Sequence, residues 1–420
     1  MKKKLQELLK NKMVQDTVLS IGAKCIFYFV VNFVIYSLMN KRMGATAYGE
    51  FVVLLGYVQV FAFGCGEALN HIRVLHQEDD KKHAADYRLI AILECVVGFF
   101  ILATSLLSGK LGFLERILYA AIGVVMMLRL YTESVFRIQI NYKRILLSSV
   151  ICAAGYLAGF GLYVLGASWC VIFLCGEGAA VVYAAVAGKA FCADKRTNST
   201  KKWPFANLSD EFKTTFKNIV ILTFSYLISY LLIYSDRFIL EAFIDSDLAG
   251  YYFNATYYGK LVAVVVPPIT SVLLSNISKG TIELNSKMTS KITLFSIGAA
   301  VLFFVAGIPC ARIMMWILFK ESYDMVLQFI DVANLALIVY YSCSIVNMLA
   351  IRLCPYSLQV RVEIIYSVCY IVAGVLGTYF FGAVGFAAGT LLVNVLRFVM
   401  LWLPVTLTVK RKQTITESKS

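Results

Sequence analysis

The sequence predicts an all-α polytopic membrane protein with about twelve transmembrane helices. Three observations lead there: the composition, the spacing of the apolar runs and the placement of basic residues. The nine apolar residue types make up 60% of the 420 residues and charged residues only 15%. Soluble proteins average about 45–50% apolar, glycine included, and about 25% charged. This excludes a soluble, disordered, collagen-like or disulfide-stapled chain. A helix needs about 20 mainly apolar residues to cross a bilayer. Such runs occupy 17–39, 50–69, 89–107, 113–136, 145–166, 168–188, 217–236, 251–274, 291–311, 326–349, 360–381 and 384–407. An even number returns both termini to one side.

Basic residues choose the side. With the N-terminus inside, the inner segments hold 28 Lys/Arg and the outer loops 6. Short loops follow the positive-inside rule, so both termini are expected in the cytoplasm. The net charge of +14 is then read as topology, not as a nucleic-acid footprint. The start, MKKKLQELLKNK, is basic. The run after it is too long for a signal-peptide core, so it reads as a retained first span. Eight of the 11 cysteines, Cys25, Cys65, Cys95, Cys152, Cys170, Cys175, Cys343 and Cys369, lie in apolar runs, where Cys acts as a small hydrophobe.

The longest polar break, 189–216, is basic and central. It divides the chain into an N-terminal six-helix bundle at 1–188, a cytoplasmic linker at 189–216, a C-terminal six-helix bundle at 217–409 and a cytoplasmic tail at 410–420. An offset of 201 lays Met43–Phe51 on Ile244–Tyr252, and both are short outer turns in which Gly meets aromatic residues. Six helices per half give both halves one orientation. That is a parallel repeat about an axis normal to the membrane, with a substrate path at the interface. The alternative is two unrelated turns, since turns favour Gly.

The turn MGATAYGEF, the block SDRFILEAFIDSDLAGYYFNATYYGKL at 235–261 and VVPPITSVLLSNISK at 265–279 resemble the Wzx-type polysaccharide flippases of the MATE-like MOP exporter superfamily. The resemblance covers the whole chain in topology. It implies two six-helix bundles forming a V around a central cavity, with alternating access. It implies oligosaccharide units on undecaprenyl pyrophosphate as substrate, moved from the inner to the outer leaflet for O-antigen, capsule or exopolysaccharide synthesis. The implied location is the bacterial cytoplasmic membrane. The implied partners are membrane lipids, a polysaccharide polymerase and chain-length machinery, with no nucleic acid and no cofactor.

Ionisable residues inside a membrane are costly and usually face a bundle interior or a wet cavity. Asp16, Ser20, Lys24, Tyr28 and Asn32 recur every four residues, a polar stripe on one helix face. Lys24 and Tyr28 are therefore substrate-binding candidates, with snorkelling as the alternative for Lys24. Arg129, Glu133 and Arg137 follow at i, i+4 and i+8, so Glu133 can pair with either arginine. The Arg129 fork suits pyrophosphate oxygens; a structural ion pair with Glu133 is the alternative. Glu94 and Glu177 are candidate coupling carboxylates, or protonated groups bonded to a neighbouring helix. Tyr226, Tyr230 and Tyr234 form an i+4 ladder that either stacks on sugars or packs helices. Lys260 and Arg397 are the cationic candidates of the second half. Pro267 and Pro268 interrupt the eighth run and mark a kink. The resemblance places them toward the inner gate and makes Asp236 and Arg237 an outer-gate lock. Gly155 with Gly159, and Gly385 with Gly389, read as close helix contacts.

No nucleotide-binding loop, nucleophile elbow or metal-ligand spacing occurs. His71, His76 and His83 share one inner loop and read as solvated. Two rivals remain. A MATE-like cation-coupled exporter of small organic molecules requires acidic residues to dominate the cavity. A membrane polymerase or glycosyltransferase requires a sizeable outer loop, and the outer loops here are short.

Overall fold

A polar break or a left-handed glycine ends each apolar run, and the computed structural model folds accordingly. It describes residues 12–75, 82–104, 111–188, 208–278 and 286–417. All regular structure among them is helical: α1 Lys12–Tyr28, a π-helical stretch Phe29–Ile35, α2 Tyr36–Met43, α3 Ala45–Leu75, α4 Ala84–Thr104, α5 Phe113–Ile138, α6 Tyr142–Val164 and α7 Cys170–Gly188. There follow α8 Phe212–Ile233, α9 Ser235–Phe243, α10 Ser246–Ala255, α11 Tyr257–Ser278, α12 Ser286–Leu318, a 3₁₀ turn Lys320–Ser322, α13 Tyr323–Val326, α14 Ile330–Leu353 and α15 Tyr356–Glu417.

Nine stretches among the described residues are long and apolar enough to cross a membrane. The last, Leu358–Lys410, has 53 residues, twice what one crossing needs. It is two helices joined at Gly382, whose φ of 63° and ψ of −146° are not helical. Only Gly adopts such a conformation at little cost, and it falls between the predicted runs 360–381 and 384–407. The charge-bearing α5 and the helix α11 fall on the remaining predicted runs, 113–136 and 251–274.

Two predicted details change. The Lys24 stripe does not continue as a simple i+4 row, because α1 widens to a π-helix at Phe29. Asn32 Nδ2 donates to the Tyr28 carbonyl at 3.1 Å, which offers that carbonyl a side-chain donor where the ladder changes. The seventh and eighth runs are also segmented, by non-helical ends at Tyr234 and Thr256. In contrast, α11 runs through positions 267 and 268 as helix; the side chains of Pro267 and Pro268 lie outside the described residues, as does most of the 189–216 linker.

By contact the chain forms two compact units. Unit 1 comprises Met1–Leu38 and Leu54–Tyr234; unit 2 comprises Met39–Val53 and Ser235–Ser420. The helix α8 thus belongs with the first-half helices, and the segment 39–53 with the second-half ones. Within unit 1, a Cβ on Gly155 or Gly159 would meet the α7 backbone at Cys175 or Ile172. The predicted close contact between these helices is present. Within unit 2, Gly385 meets the carbonyl of Gly377 and Gly389 that of Ala373. Gly49 and Gly250, which the offset of 201 equates, lie against each other: a Cβ on Gly250 would be 3.1 Å from Gly49 Cα, and one on Gly49 would strike the Ser246 carbonyl.

Candidate functional site

In unit 1, Lys24 is exposed although it lies well inside a span. It makes no ion pair with another described residue. Its charge is nevertheless felt by Glu67 on α3 and by Glu133 and Arg137 on α5. Lys24 therefore lies within electrostatic reach of charged groups on α3 and α5. The same unit carries the aromatic ladder of α8. Tyr226 and Tyr230 stack at 6.3 Å and 24°, and Tyr230 and Tyr234 at 6.3 Å and 18°. Phe63 of α3 backs Tyr230 at 5.4 Å, and the exposed His71 approaches Tyr226 at 6.3 Å. All three tyrosines remain half-buried. Tyr28 is half-buried too, edge-on to Phe33 at 6.3 Å.

Arg129 is held differently. The expected partner was Glu133, but Arg129 Nε lies 2.7 Å from Glu177 Oε2 on α7. The i+4 rule sees only one helix, and the packing of α7 on α5 supplies a closer carboxylate. Glu177 also accepts the Tyr156 hydroxyl at 2.7 Å. Arg129 further reaches Cys152 Sγ at 3.6 Å and covers the Phe27 ring at 4.7 Å. Glu133 stands 4.0 Å from Arg137 instead. Glu94 on α4 accepts the Thr223 hydroxyl of α8 at 2.9 Å.

In unit 2, the Arg237 amide donates to Asp236 Oδ1 at 2.9 Å, and Arg237 Nη1 donates to the Val52 carbonyl at 3.1 Å. The Arg237 guanidinium lies 4.3 Å from the Phe253 ring centre and the Lys260 ammonium 4.0 Å from it. Lys260 donates to the Phe253 carbonyl at 3.2 Å. Nearby, Tyr48 donates to Asn254 Oδ1 at 2.9 Å. Arg397 lies over the rings of Tyr340 and Tyr366, at 5.1 and 4.6 Å. Its Nη2 pairs with Glu363, while its Nε has no hydrogen-bond partner among the described residues. Tyr366 is fixed in turn by Asn394 Oδ1 at 3.0 Å.

The predicted substrate-binding residues therefore divide between the units: Lys24, Tyr28, Arg129, Tyr226 and Tyr230 in the first, Lys260 and Arg397 in the second. Sequence reasoning missed Glu67, Tyr156, Thr223, Tyr340 and Tyr366, whose roles depend on packing between helices. It also read His83 as solvated. His83 is buried, with Nδ1 3.2 Å from both Asp86 Oδ2 and Ser209 Oγ. Ser209 in turn donates its amide to Asp86 at 3.0 Å and its hydroxyl at 2.5 Å. This clasp ties the start of α4 to the chain before α8. Among the described residues no group of three or more His, Cys, Asp or Glu is placed to hold a metal.

No family model matches the chain, and no curated protein matches it. Solved structures do. The lipid II flippase MurJ in an inward closed conformation has a TM-score of 0.63 at 13% identity, covering 98% of this chain and 93% of that one. An outward-facing multidrug resistance MATE family transporter of the MOP superfamily gives 0.62 at 12% identity, covering 97% and 98%. A variant of the Vibrio cholerae MATE transporter VcmN gives 0.56 at 15%, covering 96% and 98%. The chain shares the multi-helix fold of these structures.

Proposed function

We propose that this membrane protein is a flippase. It moves undecaprenyl-pyrophosphate-linked oligosaccharide from the inner to the outer leaflet of a bacterial cytoplasmic membrane, for surface polysaccharide synthesis. The observation that carries the reading is that unit 1 holds both an exposed Lys24, without an ion pair among the described residues, and a ladder of three half-buried stacked tyrosines on α8. A pyrophosphate cannot cross hydrocarbon bare, because burying unpaired charge costs too much. A cation at membrane depth attracts it, and tyrosine faces and hydroxyls suit the sugars beside it. Arg397, with an unpaired Nε between two tyrosine rings, is the second anion contact. The fold shared with a lipid II flippase supports this reading. So does the 201-residue register that brings Gly49 onto Gly250, as a two-half parallel repeat would. Both termini are cytoplasmic in this scheme, and access alternates between the two sides.

The test is binding of undecaprenyl pyrophosphate to the purified protein in nanodiscs, followed by tryptophan fluorescence. Lys24→Gln and Arg397→Gln should each weaken it at least about tenfold, roughly 1.4 kcal/mol. Unchanged affinity in both would sink the reading. A second reading, export of small organic cations, draws on Glu67 and Glu133 in the field of Lys24 and on the fold shared with multidrug MATE transporters. Saturable binding of ethidium that undecaprenyl pyrophosphate does not displace would favour it.

A further inference from the structure

We propose that Glu94 is the proton-binding site that couples this transporter to a proton gradient. The inference rests on the reading of the chain as a transporter, but not on which molecule it carries. The carboxylates that sequence offers for coupling are distinguished by their partners. Glu177 is held by Arg129 and Tyr156. Glu133 stands beside Arg137. Asp236 takes the Arg237 amide and shares its surroundings with Lys260. Glu94 has no Lys or Arg within ion-pair distance among the described residues, and its Oε2 is buried without a hydrogen bond.

Among the described residues the groups facing it are few. From α8 comes the Thr223 hydroxyl on Oε1. The titratable neighbours are the Cys65 thiol of α3 and the Cys95 thiol of its own helix. Met127 of α5 lies 3.6 Å from that second thiol. Two thiols, a thioether and one hydroxyl cannot balance a negative charge at membrane depth, where an unpaired carboxylate is strongly disfavoured. The neutral acid fits the place, with Oε2 carrying the proton and Oε1 accepting from Thr223. The carboxylate requires water, so losing the proton means parting from these neighbours.

That makes the contact between α4 and α8 a two-state element whose balance follows the proton. Helix α8 lies at the end of unit 1's second stretch, which closes at Tyr234, and the chain continues from Ser235 in unit 2. In the cycle, Oε2 takes a proton from water on one side of the membrane and yields it to water on the other. No group is oxidised or reduced.

Infrared titration of the protein in nanodiscs tests proton binding without any transported molecule. Wild type should show a protonated-carboxyl band that Glu94→Gln removes and that Glu133→Gln and Glu363→Gln leave in place. Thr223→Val, which takes away the one donor, should keep the band and move it to higher frequency. A spectrum in which Glu94→Gln leaves every such band unchanged, or in which Thr223→Val shifts none, overturns the site. Proteoliposomes test coupling, with undecaprenyl pyrophosphate as the probe. An imposed pH gradient should speed its transfer several-fold in wild type, while Glu94→Gln should lose the response to the gradient. Gradient-driven transfer retained in Glu94→Gln overturns the coupling role. Absence of transfer in wild type counts against the lipid-pyrophosphate substrate instead, and the infrared band still decides Glu94.

Discussion

Two arginines at membrane depth, Arg129 in unit 1 and Arg397 in unit 2, each face one carboxylate, and the two pairs differ in who can leave. The Glu177 side chain against Arg129 is 0% exposed and is tied by Tyr156 as well. The Glu363 side chain against Arg397 is 49% exposed, and no hydroxyl of Tyr340 or Tyr366 is given to it. A buried pair loses most when one partner is removed, because the other charge is stranded. A half-exposed carboxylate can turn to water and be replaced by another anion. The comparison has Arg129 holding α5 against α7, and it is Arg397 that suits the exchangeable anion contact proposed above. Sequence alone offered both as substrate-binding residues, and only Arg129 as a pyrophosphate ligand.

The largest expected effect lies in the buried pair. Glu177→Ala leaves the Arg129 charge stranded and should cost about 3–5 kcal/mol of stability. Glu363→Ala should cost less than about 1 kcal/mol. Thermal unfolding of both variants in detergent checks the gap. Equal losses would break the distinction between the two arginines.

Next in size is the glycine crossing of unit 2. Gly49→Ala directs a methyl at the Ser246 carbonyl, and overpacking of this kind costs about 1–3 kcal/mol. Gly44→Ala meets open space but must hold φ at 79°, which costs an L-residue about 1–2 kcal/mol. Gly49→Ala should therefore destabilise at least as much as Gly44→Ala. The opposite order would show that backbone strain, not the close crossing, governs this turn.

These cases also mark what a sequence reveals. The apolar spans and the break at Gly382 were legible, because hydropathy and turn glycines act locally. Arg129 beside Glu133 was also legible as spacing, and it misled. The true partner, Glu177, is 48 residues away on a helix whose rotation no periodicity reports. Thr223 is 129 residues from Glu94 and Ser209 is 126 from His83, and neither spacing repeats. The π-helix at Phe29–Ile35 was hidden for a different reason: one extra residue per turn leaves an apolar run apolar.

The smallest effect should come from the third carboxylate pair in the series, Lys82 with Glu211, outside the membrane spans. Nζ and Oε1 lie 3.0 Å apart with both side chains more than half exposed, and His83 Nε2 is 3.7 Å from Oε2. The Lys82 ammonium, by its hydrogen bond and then its charge, holds the Glu211 carboxyl below the ordinary carboxylate range. A carboxyl depressed in the folded state stabilises above its unfolded value, about 4.3, and that stabilisation is lost as pH falls through the folded value. Glu211→Gln should thus differ slightly from wild type in thermal midpoint at neutral pH, and the difference should vanish in acid. Salt should shrink it as well, since exposed pairs are screened. The buried Arg129–Glu177 pair should show little of that salt dependence. A Glu211 difference that grows as the pH falls would mean that the carboxyl is stabilised in its neutral form, and the ranking of the three pairs by exposure would fail at its exposed end.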